Sequence, residues 1–182
     1  EDIRPPECFY IEKKLKEAVD IPVMHDDQHG TAIISGAALL NAIDLQGKRI
    51  EDARLVVNGA GAAAISCTRL YMELGIRKSN IIMCDSHGPI TLRREQNGDR
   101  LNDFKREFMT DRDVSSLAEA LIDADIFLGL SVKDVLTTEM IRTMAPKPIV
   151  FALANPDPEI PYHKAIAAAD DIIFATGRSD LP

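Results

Sequence analysis

The run Val57-Asn58-Gly59-Ala60-Gly61-Ala62-Ala63-Ala64 puts Gly59, Gly61 and Ala64 at the fixed positions of a G-x-G-x-x-G/A turn. Each position answers a physical need. Gly59 permits a tight strand-to-helix turn, Gly61 lets the backbone approach a pyrophosphate, and Ala64 allows close helix–strand packing. Amides at the start of the helix, at Ala62 and Ala63, would then face the phosphates. Small-residue clusters can also serve only to pack a helix on a sheet. An acid closing the next strand favours dinucleotide binding over that alternative. Asp85 is such an acid, 26 residues beyond Gly59, where about 20 is usual. It would accept hydrogen bonds from ribose hydroxyls, with Ser86 beside it; its structural alternative is a solvated aspartate that caps a loop. Asp85 alone would favour NAD. NADP needs a nearby cation for its extra phosphate, and His87, Arg93 and Arg94 follow on the same loop. Exposed arginine pairs are commonly just solvated, so these residues leave NADP and NAD both open.

Two acidic pairs precede the glycine turn, Glu1-Asp2 and Asp26-Asp27, the second within His25-Asp26-Asp27-Gln28-His29-Gly30-Thr31. Carboxylates at a helix start are favoured by the helix dipole, which is the structural explanation for them. So much charge beside an apolar helix also calls for a partner, and a hard divalent cation such as Mg2+ or Mn2+ is one. Its oxygen ligands could come from both segments if the fold brings them together. His25 and His29 read as solvated or hydrogen-bonding neighbours, since an oxygen-rich site does not need them.

Regular elements must position these groups. Apolar residues at helical spacing predict a helix over Ile11–Val19, followed by an extended Ile21-Pro22-Val23. A second helix is expected over Thr31–Leu45 with Thr31 as N-cap; it is apolar nearly all round, which predicts burial between two layers. From Arg54 onward short apolar runs alternate with helices: Leu55–Val57, Ile81–Cys84, Asp125–Leu128, Ile149–Ala152 and Ile172–Ala175 read as five strands. Helices are expected at 62–74, 116–122, 137–144 and 162–169. That alternation predicts an α/β fold, a Rossmann-type doubly wound parallel sheet, preceded by helices from a domain junction. Residues 1–50 form the helical segment that carries the carboxylates, and 51–182 the dinucleotide-binding domain. The polar stretch from Pro89 to Thr110 is expected to be an exposed excursion.

Length and composition set the bounds. The chain has 182 residues, 46% of them hydrophobic, enough for one well-buried core. A net charge of -8 without a basic run argues against nucleic acid or an anionic membrane as partner. Cys8, Cys67 and Cys84 fit neither a disulfide framework nor a zinc site and suit a reducing cytoplasm. With no membrane-length apolar run and no signal peptide, a cytoplasmic protein acting on a small molecule is expected.

Several strings, in order along the whole chain, resemble the malic enzyme family in its bacterial form. They are Glu1-Asp2-Ile3, Pro22-Val23-Met24-His25-Asp26-Asp27-Gln28-His29-Gly30-Thr31-Ala32, the glycine turn, Cys84-Asp85-Ser86-His87-Gly88, Phe151-Ala152-Leu153-Ala154-Asn155-Pro156 and Phe174-Ala175-Thr176-Gly177-Arg178-Ser179. The resemblance implies oxidative decarboxylation of L-malate to pyruvate with reduction of NADP or NAD. It implies Glu1, Asp2 and Asp27 as metal ligands, and Asp26 as partner of a catalytic lysine not found in this chain. It places Thr31 and the Gly129-Leu130-Ser131 segment near the cofactor, and Asn155 against cofactor and substrate. Asn155 could instead be a loop asparagine turning into Pro156. Tyr10, Tyr71 and Tyr162 do not match the family's tyrosine motif, and no lysine here can be assigned its role, so the chain is expected to be an inactive portion of a homo-oligomeric parent. The rival readings are a catalytically inactive dinucleotide-binding module, a malolactic-type enzyme, or another Rossmann dehydrogenase.

Overall fold

The computed structural model describes residue 3 and residues 6–178. Five largely apolar runs of four or five residues and one two-residue strand form a six-stranded sheet: β1 (Leu55–Asn58), β2 (Ile81–Asp85), β3 (Gly88–Pro89), β4 (Ile126–Gly129), β5 (Ile149–Ala152) and β6 (Ile173–Thr176). Their order is β3-β2-β1-β4-β5-β6, and every pairing is parallel except β2 with β3. β3, a two-residue antiparallel edge strand, is the one strand missing from the five expected. Its hairpin is set by turn geometry, and two residues are too few for a periodic signal.

Continuous apolar strands imply that both sheet faces are covered, and alternate side chains feed two cores. Leu55, Val57, Met83, Leu128 and Phe151 face α2 (Asp26–Gln46) and α3 (Ala62–Glu73). Val56, Ile82, Phe127 and Val150 face α6 (Leu117–Leu121), α7 (Thr138–Arg142) and α8 (Tyr162–Ile166). The strand order reverses at β1 and β4, so the loops after these strands diverge and leave a crevice at their carboxyl ends.

Three expectations need correction. α2 begins at Asp26, not Thr31, so Thr31 lies inside the helix and is not its N-cap; His25 holds that position. Asp26 and Asp27 therefore occupy the first turn, where the dipole favours them. Nor is α2 buried between two layers: Ala32, Leu39, Ala42 and Ile43 enter the core, while Ile34 and Leu45 remain 73% and 76% exposed. The stretch from Pro89 to Thr110 is anchored rather than extruded. It contains α4 (Leu92–Gln96) and α5 (Asp103–Arg106), and it buries Ile90, Leu101 and Phe108. At the front of the chain, α1 (Glu7–Ala18) joins this stretch through Phe9, whose ring centroid lies 4.4 Å from that of Phe104.

Candidate functional site

The glycine turn joins β1 to α3 and is held at both sides. Gly59 donates its N–H to Cys84 O (2.9 Å), and Leu130 donates to Asn58 O (2.8 Å), tying the turn to β2 and β4. Gly59 has φ +130, and a β-carbon there would lie 2.4 Å from the carbonyl oxygen of Leu130. Only glycine satisfies both conditions. Gly61 differs: it is exposed, has φ -86 at the N-cap of α3, and a β-carbon on it would meet nothing within 4 Å. The space before the α3 amides is open, as close approach by a phosphate requires. Ala64 is buried beneath it against the sheet.

A cleft of about 760 Å³ opens here. Asp26, Asp27, Gly30 and Thr31 line it from α2, Gly61 to Ala64 from α3, Leu130 and Ser131 from beyond β4, and Leu153 to Asn155 from beyond β5. Segments more than a hundred residues apart thus converge, and most of the expected site residues line one wall or another. Gly59, Asp85 and Ser86 do not line this cleft. The carboxylate of Asp26 folds back over the helix, so that a β-carbon on Gly30 would lie 2.1 Å from its Oδ1. Gln28 Nε2 lies 2.8 Å from His25 Nδ1, and His25 Nε2 comes within 3.4 Å of Asp27 Oδ2 without forming a hydrogen bond.

Oxygen donors dominate the polar wall (Asp26, Asp27, Thr31, Asn155), and no cysteine reaches it, so the donor chemistry fits a hard divalent cation. Among the described residues no group of three or more His, Cys, Asp and Glu side chains converges as a metal cluster. The other expected ligands, Glu1 and Asp2, lie outside the described residues.

Asp85 is neither solvated nor open to a ligand. Its side chain is 6% exposed, and it is clamped by Arg94 (2.9 Å to Oδ1) and Lys105 (2.7 Å to Oδ2). The N–H of His87 adds a third contact at 2.9 Å. Burial alone would raise its pKa, but hydrogen bonds from Arg94, Lys105 and the His87 amide prevail and hold the carboxyl at about 2. Arg94 is itself saturated by Asp85, Asp99 and the carbonyl oxygens of Gly88 and Pro89, and Arg93 pairs with Asp113 at 2.6 Å. The Lys105 ammonium makes a single hydrogen bond among the described residues, so two of its three donors remain. Nothing local in the sequence marks Lys105, which lies 20 residues from the acid it holds.

Sequence reasoning also passes over Glu159, a fully buried carboxylate after β5. Its Oε1 accepts the Ser131 N–H (3.0 Å) and its Oε2 the Ala154 N–H (3.1 Å). Burial raises its pKa, against the lowering effect of those amides. Asn58 Nδ2 donates to Ser131 Oγ at 2.7 Å, so β1, β4 and β5 are joined at the cleft floor.

The described cysteines are all free and buried. No helix among the described residues is long and apolar enough to cross a membrane.

Comparisons with known proteins agree with this geometry. The family described as "Malic enzyme, NAD binding domain" matches residues 28–179. The chain is 51% identical to the NADP-dependent malic enzyme of Haemophilus influenzae, covering 100% of this chain and 24% of the relative. It is 51% identical to the enzyme of the same name from Halomonas elongata, covering 100% and 42%. The crystal structure of an NAD-dependent malic enzyme from Thermotoga maritima superposes with a TM-score of 0.90 at 41% identity, covering 100% of this chain and 48% of that one. The chain thus spans about a quarter to a half of the length of these relatives. With a turn open to a pyrophosphate, a crevice at the switch point of a parallel sheet and this match over most of its length, the chain belongs to the malic enzyme NAD-binding domain family.

Proposed function

We propose that the chain is the dinucleotide-binding portion of a metal-dependent malic enzyme, whose parent oxidises and decarboxylates L-malate to pyruvate and CO2. One observation carries the reading: the open α3 amides, the carboxylates of α2 and Asn155 share a single cleft. The α3 amides would bind the pyrophosphate. Glu1, Asp2 and Asp27 would hold Mg2+ or Mn2+, and Asp26, beside Asp27, would orient a lysine. When bound, the nicotinamide accepts a hydride and the cation stabilises the oxyanion that develops as CO2 leaves. Thr31 and Asn155 would orient cofactor and substrate, and the apolar wall at Ile34 and Leu153 would exclude water.

NADP is the better fit of the two cofactors. A carboxylate that reads ribose hydroxyls must offer free oxygens, and those of Asp85 are occupied. Lys105 places an ammonium with spare donors beside it, where a ribose 2′-phosphate would carry its charge. Calorimetric titration should therefore give tighter binding of NADP than of NAD. Lys105→Ala should weaken NADP at least tenfold and NAD by less than threefold. Equal affinities that do not respond to Lys105→Ala would reject this preference, and no binding of either nucleotide would reject the proposed function.

A further inference from the structure

Glu159 carries a cost that packing does not require. It is 0% exposed, no cationic side chain pairs with it among the described residues, and a buried carboxylate without a counter-charge is unfavourable unless well hydrogen-bonded. Its bonds have a consistent pattern. One oxygen takes an amide from the loop after β4 and the other an amide from the loop after β5, at 3.0 and 3.1 Å. Its own carbonyl accepts Leu136 N–H at 3.0 Å, which fixes the backbone that carries it. The chain makes room for it at Gly129, where a β-carbon would fall 2.4 Å from the Glu159 carboxyl carbon. A single carboxylate thus sets the separation of two loops on neighbouring strands, and Asn58 ties one of them to β1.

The two loops bear Ser131 and Asn155, which line the cleft. In an open sheet of this kind the pyrophosphate lies at the β1–α3 turn and the adenosine towards β2. The other half of the dinucleotide then extends over β4 and β5. We infer that Glu159 is a positioning residue for the nicotinamide half, holding the β4 and β5 loops at the spacing that half requires. This rests on the dinucleotide reading above.

A residue with only a structural role would weaken all ligands alike, whereas a positioning residue discriminates between the two halves. Glu159→Gln keeps one acceptor oxygen and turns an N–H2 group towards the other amide, so one loop loses its hold. In calorimetric and NMR titrations of the full chain, NADP and nicotinamide mononucleotide should weaken tenfold or more. 5′-AMP, which uses the β2 side, should change by less than twofold. Gly129→Ala, which displaces the carboxylate from the opposite side, should give the same pattern. In the unaltered chain the Ser131 and Ala154 amides should exchange hydrogen at least tenfold more slowly than those of Val132 and Lys133, a measurement that stands even where a variant does not fold. Uniform loss across all three ligands, no loss, or rapid exchange at Ser131 and Ala154 would overturn the inference. Failure of the unaltered chain to bind NADP or NAD would instead overturn the dinucleotide reading beneath it.

Discussion

Gly59 and Gly61 stand two residues apart and answer to different constraints. At Gly59 both the positive φ and the Leu130 carbonyl exclude a side chain. Gly59→Ala should lose roughly 1–3 kcal/mol from the backbone conformation alone, before any clash, measurable by urea denaturation. Gly61 adopts a conformation open to any residue, and a methyl there meets nothing in the protein. Gly61→Ala should leave stability unchanged or raise it by up to about 1 kcal/mol. It should nevertheless cost tenfold or more in NADP affinity, because the methyl fills the space where the pyrophosphate approaches. Should Gly61→Ala bind NADP as well as the unaltered chain, that space is not the phosphate site.

At the scale of elements, the stretch carrying β3, α4 and α5 is attached to the sheet through the Asp85 clamp. Arg94 lies in α4 and Lys105 in α5, and both reach the one carboxylate at the end of β2. The pKa of Asp85 is lowered from 3.8 to about 2 in the folded chain. The folded state therefore binds fewer protons than the unfolded chain in that range. Stability from this group is complete above pH 3.8 and is lost as pH falls towards about 2. Urea midpoints taken between pH 5 and pH 2 should drop through that window. Asp85→Asn should be less stable at pH 5 and show a flatter decline; an unchanged slope would mean that other carboxylates govern the acid transition.

For the molecule as a whole, the outer face of α2 is the least settled surface. Ile33, Ile34, Leu40 and Leu45 are all exposed on this one helix, a concentration of large apolar side chains beyond the scattered single residues of an ordinary surface. The chain should bind a hydrophobic dye such as 8-anilinonaphthalene-1-sulfonate in its folded state. The double substitution Ile34→Ser with Leu45→Ser should reduce that signal at least twofold while changing stability by about 1 kcal/mol or less. Dye binding that persists in the double variant would place the apolar surface elsewhere, for instance in the groove lined by Phe9, Tyr10 and Met24.

What can be read from the sequence is local. Turn chemistry acts over a few residues, so the β1–α3 turn is legible from the spacing of Gly59, Gly61 and Ala64, and the alternation of apolar runs with helices implies the parallel sheet. The Asp26-Asp27 pair and Asn155 stand out as motifs, and the structure brings them to the same cleft. The start of α2 is misread because Gly30 and the carboxylates look like a helix boundary, whereas the helix runs through them. The state of Asp85 is beyond reach, since its partners lie 9 and 20 residues away on separate helices. Glu159 is likewise hidden, joined to Ser131 across 28 residues by backbone amides that have no sequence signature. Hydrogen bonds to the main chain depend on where loops meet in space rather than on which residues they contain. The sequence determined the elements and the chemical groups, and the packing of neighbouring strands decided which of those groups are free to meet a ligand.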